Sequence, residues 1–112
     1  MPKEKESVLQ KRIIEYLNKI GCLAWRNNTG AFAGEYKGKK RFVRFSPVGS
    51  GDIFCVMKDG RFMSIEVKRK GQKPTILQVC WIDLINSQKA LAVWVDSWDA
   101  WLSICRDMKW PV

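Results

Sequence analysis

The sequence predicts an α/β domain in which helices flank both faces of a mixed β-sheet. Three observations support this. The chain has 112 residues, 46% of them hydrophobic, which suits a single domain over residues 1–112. Apolar residues recur at helical spacing in some segments and at strand spacing in others. The resulting order is α-β-β-β-β-α-β-α, and a helix between the last two strands predicts a parallel pair beside antiparallel ones.

The individual elements follow from apolar spacing and from the residues that end each run. Leu9, Ile13 and Leu17 recur at helical spacing before Gly21, which predicts a helix over 7–20. The Asn-, Gly- and Lys-rich stretch 27–40 is predicted as a loop. Strands are predicted at 22–26, 41–46, 52–57, 61–68 and 90–95, and further helices at 75–87 and from a Ser97 cap to about 107.

Composition excludes several chemistries. The chain contains no histidine, so it has no histidine base and no histidine-ligated zinc. Its four cysteines lie more than twenty residues apart, which excludes a CxxC pair and favours buried free thiols over disulfides. No apolar run reaches the length of about 20 residues that spans a bilayer, and residues 1–5 do not resemble a signal peptide. We therefore expect a cytoplasmic protein without membrane contacts.

The positive charge is concentrated in one part of the chain. Residues 1–73 carry a net charge of +10 and residues 74–112 a net charge of −1, within a total of +9. Such a concentration suggests a polyanionic partner, although a basic surface kept for solubility is the simpler alternative. The densest basic groups are Lys37, Lys39, Lys40, Arg41 and Arg44, followed by Lys68, Arg69, Lys70 and Lys73.

A strand hairpin carries the residues with the clearest chemical potential. On one strand Glu66 and Lys68 point to the same side. A two-residue turn would set Asp52 opposite Val67, whereas the three-residue turn 58–60 sets it opposite Glu66, with Gly60 in the left-handed position. Two facing carboxylates repel and call for a cation between them, and hard oxygen ligands suit Mg²⁺ or Mn²⁺. Acids and lysines at strand ends are also common without function.

Two further residues have both a structural and a functional interpretation. Glu6 shares the helical face of Ile13 and Leu17, whereas Glu15 lies on the opposite side. Glu6 therefore either points into a polar site or is an ordinary first-turn acid that the helix dipole favours. Gln78 follows Thr75 by three residues, so it is either a capping-box residue or a site residue.

These motifs, taken in order, resemble the VRR-NUC family of the PD-(D/E)xK nuclease superfamily, in its short stand-alone phage and bacterial form. The resemblance covers nearly the whole chain. Gly51 stands where the superfamily pattern has a proline, and many members vary at that position. The matching residues are Glu6 with Gln10, Trp25-Arg26-Asn27-Asn28-Thr29-Gly30, Gly49-Ser50-Gly51-Asp52, Glu66-Val67-Lys68 and Gln78.

The resemblance implies a restriction-endonuclease-like fold and an Mg²⁺-dependent (or Mn²⁺-dependent) endodeoxyribonuclease. It implies metal ligation by Asp52, Glu66, the Val67 carbonyl and Glu6, and catalytic roles for Lys68 and Gln78. It further implies a homodimer that cuts branched DNA such as Holliday junctions, in a bacterial cell or a phage-infected host. The expected nucleic-acid-binding residues are Arg26, Asn27, Lys37, Lys39, Lys40, Arg41, Arg44, Arg69, Lys70 and Lys73.

Two other classes of protein stay open at this point. One is a catalytically silent nucleic-acid-binding module that uses the same basic face; the presence of Asp52, Glu66 and Lys68 argues against it. The other is an interaction protein whose six tryptophans form a partner surface. In that interpretation Trp94 packs in the core, while Trp98, Trp101 and Trp110 form a dimer contact.

Overall fold

The computed structural model describes residues 5–27, 31–36, 38–44 and 49–112, with backbone alone for 31–36 and 39–44. Three helices and six strands are formed in these ranges, and the second and third helices have Thr75 and Ser97 as their N-caps. Their bounds are α1 Glu6–Lys19, β1 Leu23–Arg26, β2 Ala31–Tyr36, β3 Lys39–Arg44, β4 Ile53–Val56, β5 Phe62–Val67, α2 Ile76–Asn86, β6 Leu91–Val95 and α3 Trp98–Asp107.

The strands form a mixed sheet, as predicted. Its order is β1-β4-β5-β6, in which β5 and β6 are parallel and the other neighbours antiparallel. The α/β prediction is therefore confirmed. One segment differs: part of the predicted loop 27–40 forms strand β2, which pairs with β3 in a separate two-stranded hairpin. Gly38 lies at the turn of that hairpin and Lys39 begins β3, so the composition indicated a turn but concealed the strand before it.

One face of the sheet is closed by α1 and α3. Leu9, Ile13 and Leu17 from α1 are buried against the inward side chains of β4 and β5. Trp101 and Cys105 of α3 complete this core. The spacing that predicted the first helix therefore also identified its buried face.

The other face carries α2, which covers it only in part. Trp81 stacks on Phe54 and donates its indole N–H to Ser64 Oγ at 2.8 Å, which fixes the helix on the sheet. No residue of α2 is buried, and Cys80 is exposed, contrary to the expectation of four buried thiols. Trp94 is 39% exposed, so its predicted place in the core was wrong.

The C-terminal tryptophans occupy the opposite side from α2. Trp101 is fully buried, and Tyr16 packs edge-on against Trp98 and Trp101. Trp110 is half-buried and lies against Trp101. A fully buried Trp101 cannot contact a second subunit, so the expectation that these residues form a dimer surface was wrong for Trp101. Within the described part of the chain, no helix combines the length and apolar character needed to cross a membrane.

Candidate active site

The β4–β5 hairpin brings Asp52 and Glu66 together at one end of the sheet. Met57 N–H donates to Arg61 C=O at 2.9 Å, and Gly60 has a φ of +88°, so the turn is the three-residue form. Ile53 lies opposite Ile65 in the ladder, and Asp52 forms a bend directly before β4, with its carboxyl beside that of Glu66. The predicted register is confirmed over β4 and β5, and Ile53, Cys55 and Met57 face the core as expected.

Backbone contacts hold Asp52 in place from both sides. Its N–H donates to Ile65 C=O at 2.9 Å, and its C=O accepts from Asn27 N–H at 2.8 Å. Its side-chain Oδ2 accepts the N–H of Val67 at 2.7 Å. The carboxylate therefore lies across the end of β5, next to Glu66, rather than in open solvent.

Glu66 is the most buried acid that the structure describes, at 4% exposure. Burial and the adjacent Asp52 carboxyl raise the pKa of Glu66 to about 8, with a smaller contribution from Glu6 and a partial offset from Lys68. Burial also raises the pKa of Asp52, against the lowering effect of the Val67 N–H. The two carboxyls, hereafter the acidic pair, share a site that favours a proton or a cation between them.

Gln78 connects α2 to this pair. Its backbone N–H donates to Thr75 Oγ1 at 3.3 Å, and its Oε1 accepts from Thr75 N–H at 2.8 Å, which completes a capping box. Its Nε2 also donates to Glu66 Oε1 at 2.8 Å, and its Oε1 accepts from Lys68 Nζ at 3.3 Å. The two interpretations of Gln78 are therefore compatible, because one amide makes both sets of contacts.

Lys68 and Glu6 approach the pair from different elements. Lys68 follows β5 and is anchored by its N–H, which donates to Val95 C=O at 2.8 Å. Glu6 begins α1, is half-buried, and accepts the N–H of Arg69 at 3.0 Å through Oε1. Glu15 is exposed, so the predicted helix phase is confirmed. Glu6 influences the pair electrostatically and raises the pKa of both Asp52 and Glu66.

Gly51 packs too closely against β5 to leave room for a side chain. A Cβ at position 51 would overlap Ser64 Oγ and would lie 3.1–3.2 Å from the backbone of Ile65. Ser64 Oγ is held there by the Trp81 indole. The Gly51–Ser64–Trp81 packing is a support of the site that sequence reasoning missed, because its members are far apart in the chain.

The predicted nucleic-acid-binding residues fall into three groups. Asn27 turns its amide inward, where Nδ2 donates to Ser50 Oγ at 3.1 Å and to Gly51 C=O at 2.8 Å, so it holds the loop before Asp52. Arg26, Arg69, Lys70 and Lys73 are exposed near this end of the sheet, and Lys70 lies 3.7 Å from Asp96. Lys39, Lys40, Arg41 and Arg44 lie on β3, and Lys37 lies outside the described residues.

The acidic pair offers hard oxygen donors to a divalent cation. Glu66 Oε2 is buried and receives no hydrogen bond from the described residues. An acceptor oxygen in that position beside a second carboxylate matches Mg²⁺, which is commonly held by one or two carboxylates and otherwise by water or phosphate. No group of three or more His, Cys, Asp or Glu residues positioned to hold a metal occurs in the described ranges. The residues thus fit a two-carboxylate site.

The mixed sheet between helices has a counterpart among solved structures. A solved structure described as a VRR_NUC domain is similar to this chain, with a TM-score of 0.63 and 19% sequence identity, over 91% of this chain and 94% of that one. The resemblance found in the sequence motifs is thereby confirmed for the fold. No family model and no curated protein sequence matches the chain.

Proposed function

We propose that the protein is a divalent-cation-dependent endodeoxyribonuclease that hydrolyses phosphodiester bonds at the acidic pair. The observation that carries this proposal is the buried pair itself, in which Glu66 Oε2 lacks a donor among the described residues, while Gln78 donates to Glu66 Oε1 and accepts from Lys68 Nζ. Two adjacent carboxylates are costly to keep ionised in a buried site, so a structural role alone does not account for the presence of both acids. The similarity of the fold to that of a solved VRR_NUC domain supports the same conclusion.

The residues of the site have separate roles in this mechanism. Asp52 and Glu66 would hold the cation, with the Val67 carbonyl as a further ligand and Glu6 beside the site. When bound, Mg²⁺ (or Mn²⁺) favours ionisation of the attacking water and stabilises negative charge that develops on the scissile phosphate. Lys68 places a positive charge beside the same phosphate. Gln78 fixes both the Lys68 ammonium and the Glu66 carboxylate, so it is a positioning residue.

The test is to separate cleavage from binding. Asp52→Asn and Glu66→Gln should each lower cleavage at least about a thousandfold, because each removes an anionic ligand of the cation. Both should bind DNA like the parent in EDTA, because neither reduces the positive charge of the protein. Asp107→Asn, an exposed acid at the end of α3, is the matched control and should cut normally. If either site variant cuts like the control, the assigned centre is wrong.

We propose that DNA binding uses the basic strand β3 together with Arg69, Lys70 and Lys73. Contacts to phosphates are sequence-independent and salt-sensitive. Neutralising Lys39, Lys40 and Arg41 should weaken binding to every DNA shape and reduce the log–log salt slope by roughly one unit for each phosphate that the protein no longer neutralises. An unchanged slope would show that β3 does not touch the backbone of the DNA.

We propose branched DNA, such as a Holliday junction, as the substrate and a homodimer as the active form. The supporting observation is the α2 patch, formed by Ile76, Leu77, Val79 and Leu84, in which Ile76 is 83% and Leu84 58% exposed. An exposed apolar surface of this kind is typical of an interface. A second copy seated there would supply a second acidic pair for symmetric cleavage of two strands.

Sedimentation equilibrium tests the dimer. Leu84→Glu should shift the protein to monomer, whereas Val8→Glu, at an exposed position of α1, should not. Cleavage of four-way, three-way and linear DNA of equal length then tests the substrate, with preference for the branched forms expected. Equal rates on all three would contradict the branched-DNA proposal and leave the nuclease proposal standing.

A further inference from the structure

A cleft lies at the opposite end of the β4–β5 hairpin from the acidic pair. It is a cleft of about 780 Å³, bounded by the end of α1, the turn 58–60 and the segment after α3. We call it the turn cleft. Its volume falls in the usual range of ligand pockets. Met57 follows Asp52 by five positions of extended chain, so the turn cleft lies about 17 Å from the acidic pair.

The floor of the turn cleft is apolar. Ile20, Met57, Met108 and Trp110 line it. Methionine side chains are flexible and polarizable, and they adapt to differently shaped apolar partners. Tyr16 supplies a hydroxyl to the lining, and this hydroxyl already donates to Pro111 C=O. The floor therefore suits an apolar side chain better than a nucleobase, whose edge needs free hydrogen-bonding groups.

The rim of the turn cleft is cationic. Lys19, Lys58 and Arg61 line it together with one acid, Asp59. Asp59 is already paired with Arg61 at 2.8 Å. The aliphatic part of the Lys58 side chain packs over Gly21, and a Cβ at position 21 would overlap Lys58 Cε. This packing holds the Lys58 ammonium group close to the cleft. Asp59 and Arg61 neutralise each other, so Lys19 and Lys58 give the rim a net positive charge.

We propose that the turn cleft binds a short acidic peptide segment of a partner protein. One apolar side chain of the peptide inserts between Met57, Met108 and Trp110, and flanking carboxylates face Lys19 and Lys58. Charge complementarity between this rim and the peptide provides orientation, and burial of the apolar side chain provides affinity. Because the acidic pair lies at the other end of the hairpin, the bound partner leaves it open and recruits the protein without blocking cleavage.

The test uses a fluorescent peptide of sequence Asp-Glu-Asp-Leu-Phe-Asp-Glu-Asp and the full chain, with binding followed by anisotropy. We expect saturable binding that weakens at least tenfold when the Leu-Phe pair is replaced by Ser-Ser. Lys19→Glu with Lys58→Glu should also weaken it at least tenfold. Lys11→Glu with Lys109→Glu, an equal change of charge at exposed positions outside the cleft, should leave affinity within about twofold.

Several outcomes would overturn the proposal. These are absence of saturation up to about 1 mM peptide, equal binding of the Ser-Ser peptide, or equal weakening in the two double variants. Displacement of the peptide by an octamer of single-stranded thymidylate, with the same dependence on Lys19 and Lys58, would assign the cleft to nucleic acid instead. Cleavage of DNA by the two double variants should be equal, so this test is independent of the nuclease proposal.

Discussion

Helices α1 and α2 cover opposite faces of the same sheet, and they do so to very different extents. α1 buries three side chains completely or nearly so, although its sequence is the more polar of the two. α2 is built mostly of apolar residues and buries none. The face under α1 and α3 is an ordinary hydrophobic core, whereas on the face under α2 the side chain of Gln78, held by Thr75, donates to Glu66 of the acidic pair. Stability and chemistry are therefore assigned to different sides of one sheet.

The largest expected effect comes from truncating matching leucines on the two helices. Leu17→Ala removes a fully buried side chain and should lower the free energy of unfolding by about 2–5 kcal/mol. Leu84→Ala, on the α2 patch, should change it by no more than about 0.5 kcal/mol in dilute monomer. Urea unfolding of both variants measures this. Similar losses of stability for the two leucines would mean that α2 is as well covered as α1.

A second prediction concerns pH and the acidic pair in EDTA. The unfolded chain loses the Glu66 proton near its ordinary pKa, while the folded chain keeps it up to about 8. The unfolded state binds fewer protons in this window, so stability should fall as pH rises from about 5 to 8, by a few kcal/mol at most. Glu66→Gln should flatten this dependence, and Glu15→Gln should retain it. If the free energy of unfolding of the parent protein does not change with pH in this range, the pKa of Glu66 is not raised in the folded protein.

A third prediction concerns the packing beneath α2. Gly51→Ala forces a Cβ against Ser64 Oγ and should cost about 1–3 kcal/mol. Ser64→Ala removes that oxygen but also the acceptor of the Trp81 indole, at about 1–2 kcal/mol. The double variant should cost less than the sum of the two, because the clash is gone. Strict additivity in the double-mutant cycle would place Ser64 away from position 51.

The smallest expected effect concerns Glu6, the acid at the start of α1, whose charge acts on the acidic pair. Glu6→Gln should raise the Mg²⁺ concentration needed for half-maximal cleavage severalfold, because a negative charge beside the pair is removed. Glu15→Gln should leave it unchanged, and both should alter stability by no more than about 0.5 kcal/mol. Metal titrations of the two variants against the parent decide this. Loss of activity in the Glu15 variant alone would contradict the helix phase.

Local patterns predicted those parts of the molecule that short-range physics determines. The helix phase of α1 and the register of β4 against β5 depend on residues within a few turns or one hairpin, and both were predicted correctly. The exposure of Trp94 and Cys80 depends on how far α2 covers the sheet, which no local pattern encodes. The double role of Gln78 likewise needs a cap and a distant carboxylate to meet, so the sequence showed only two alternatives.

The turn at Lys58-Asp59-Gly60 has a consequence for how the molecule assembles. Asp52 and Glu66 are fourteen positions apart and are aligned by a single hairpin, and an isolated hairpin forms in about 1–10 μs. Glu6 and Gln78 join from α1 and α2, which requires longer loops to close. The two mutually repelling acids can therefore meet before their stabilising neighbours arrive, so hairpin closure proceeds against their repulsion at neutral pH. A site of this construction should fold faster in mildly acidic solution, where one of the two carboxyls keeps its proton.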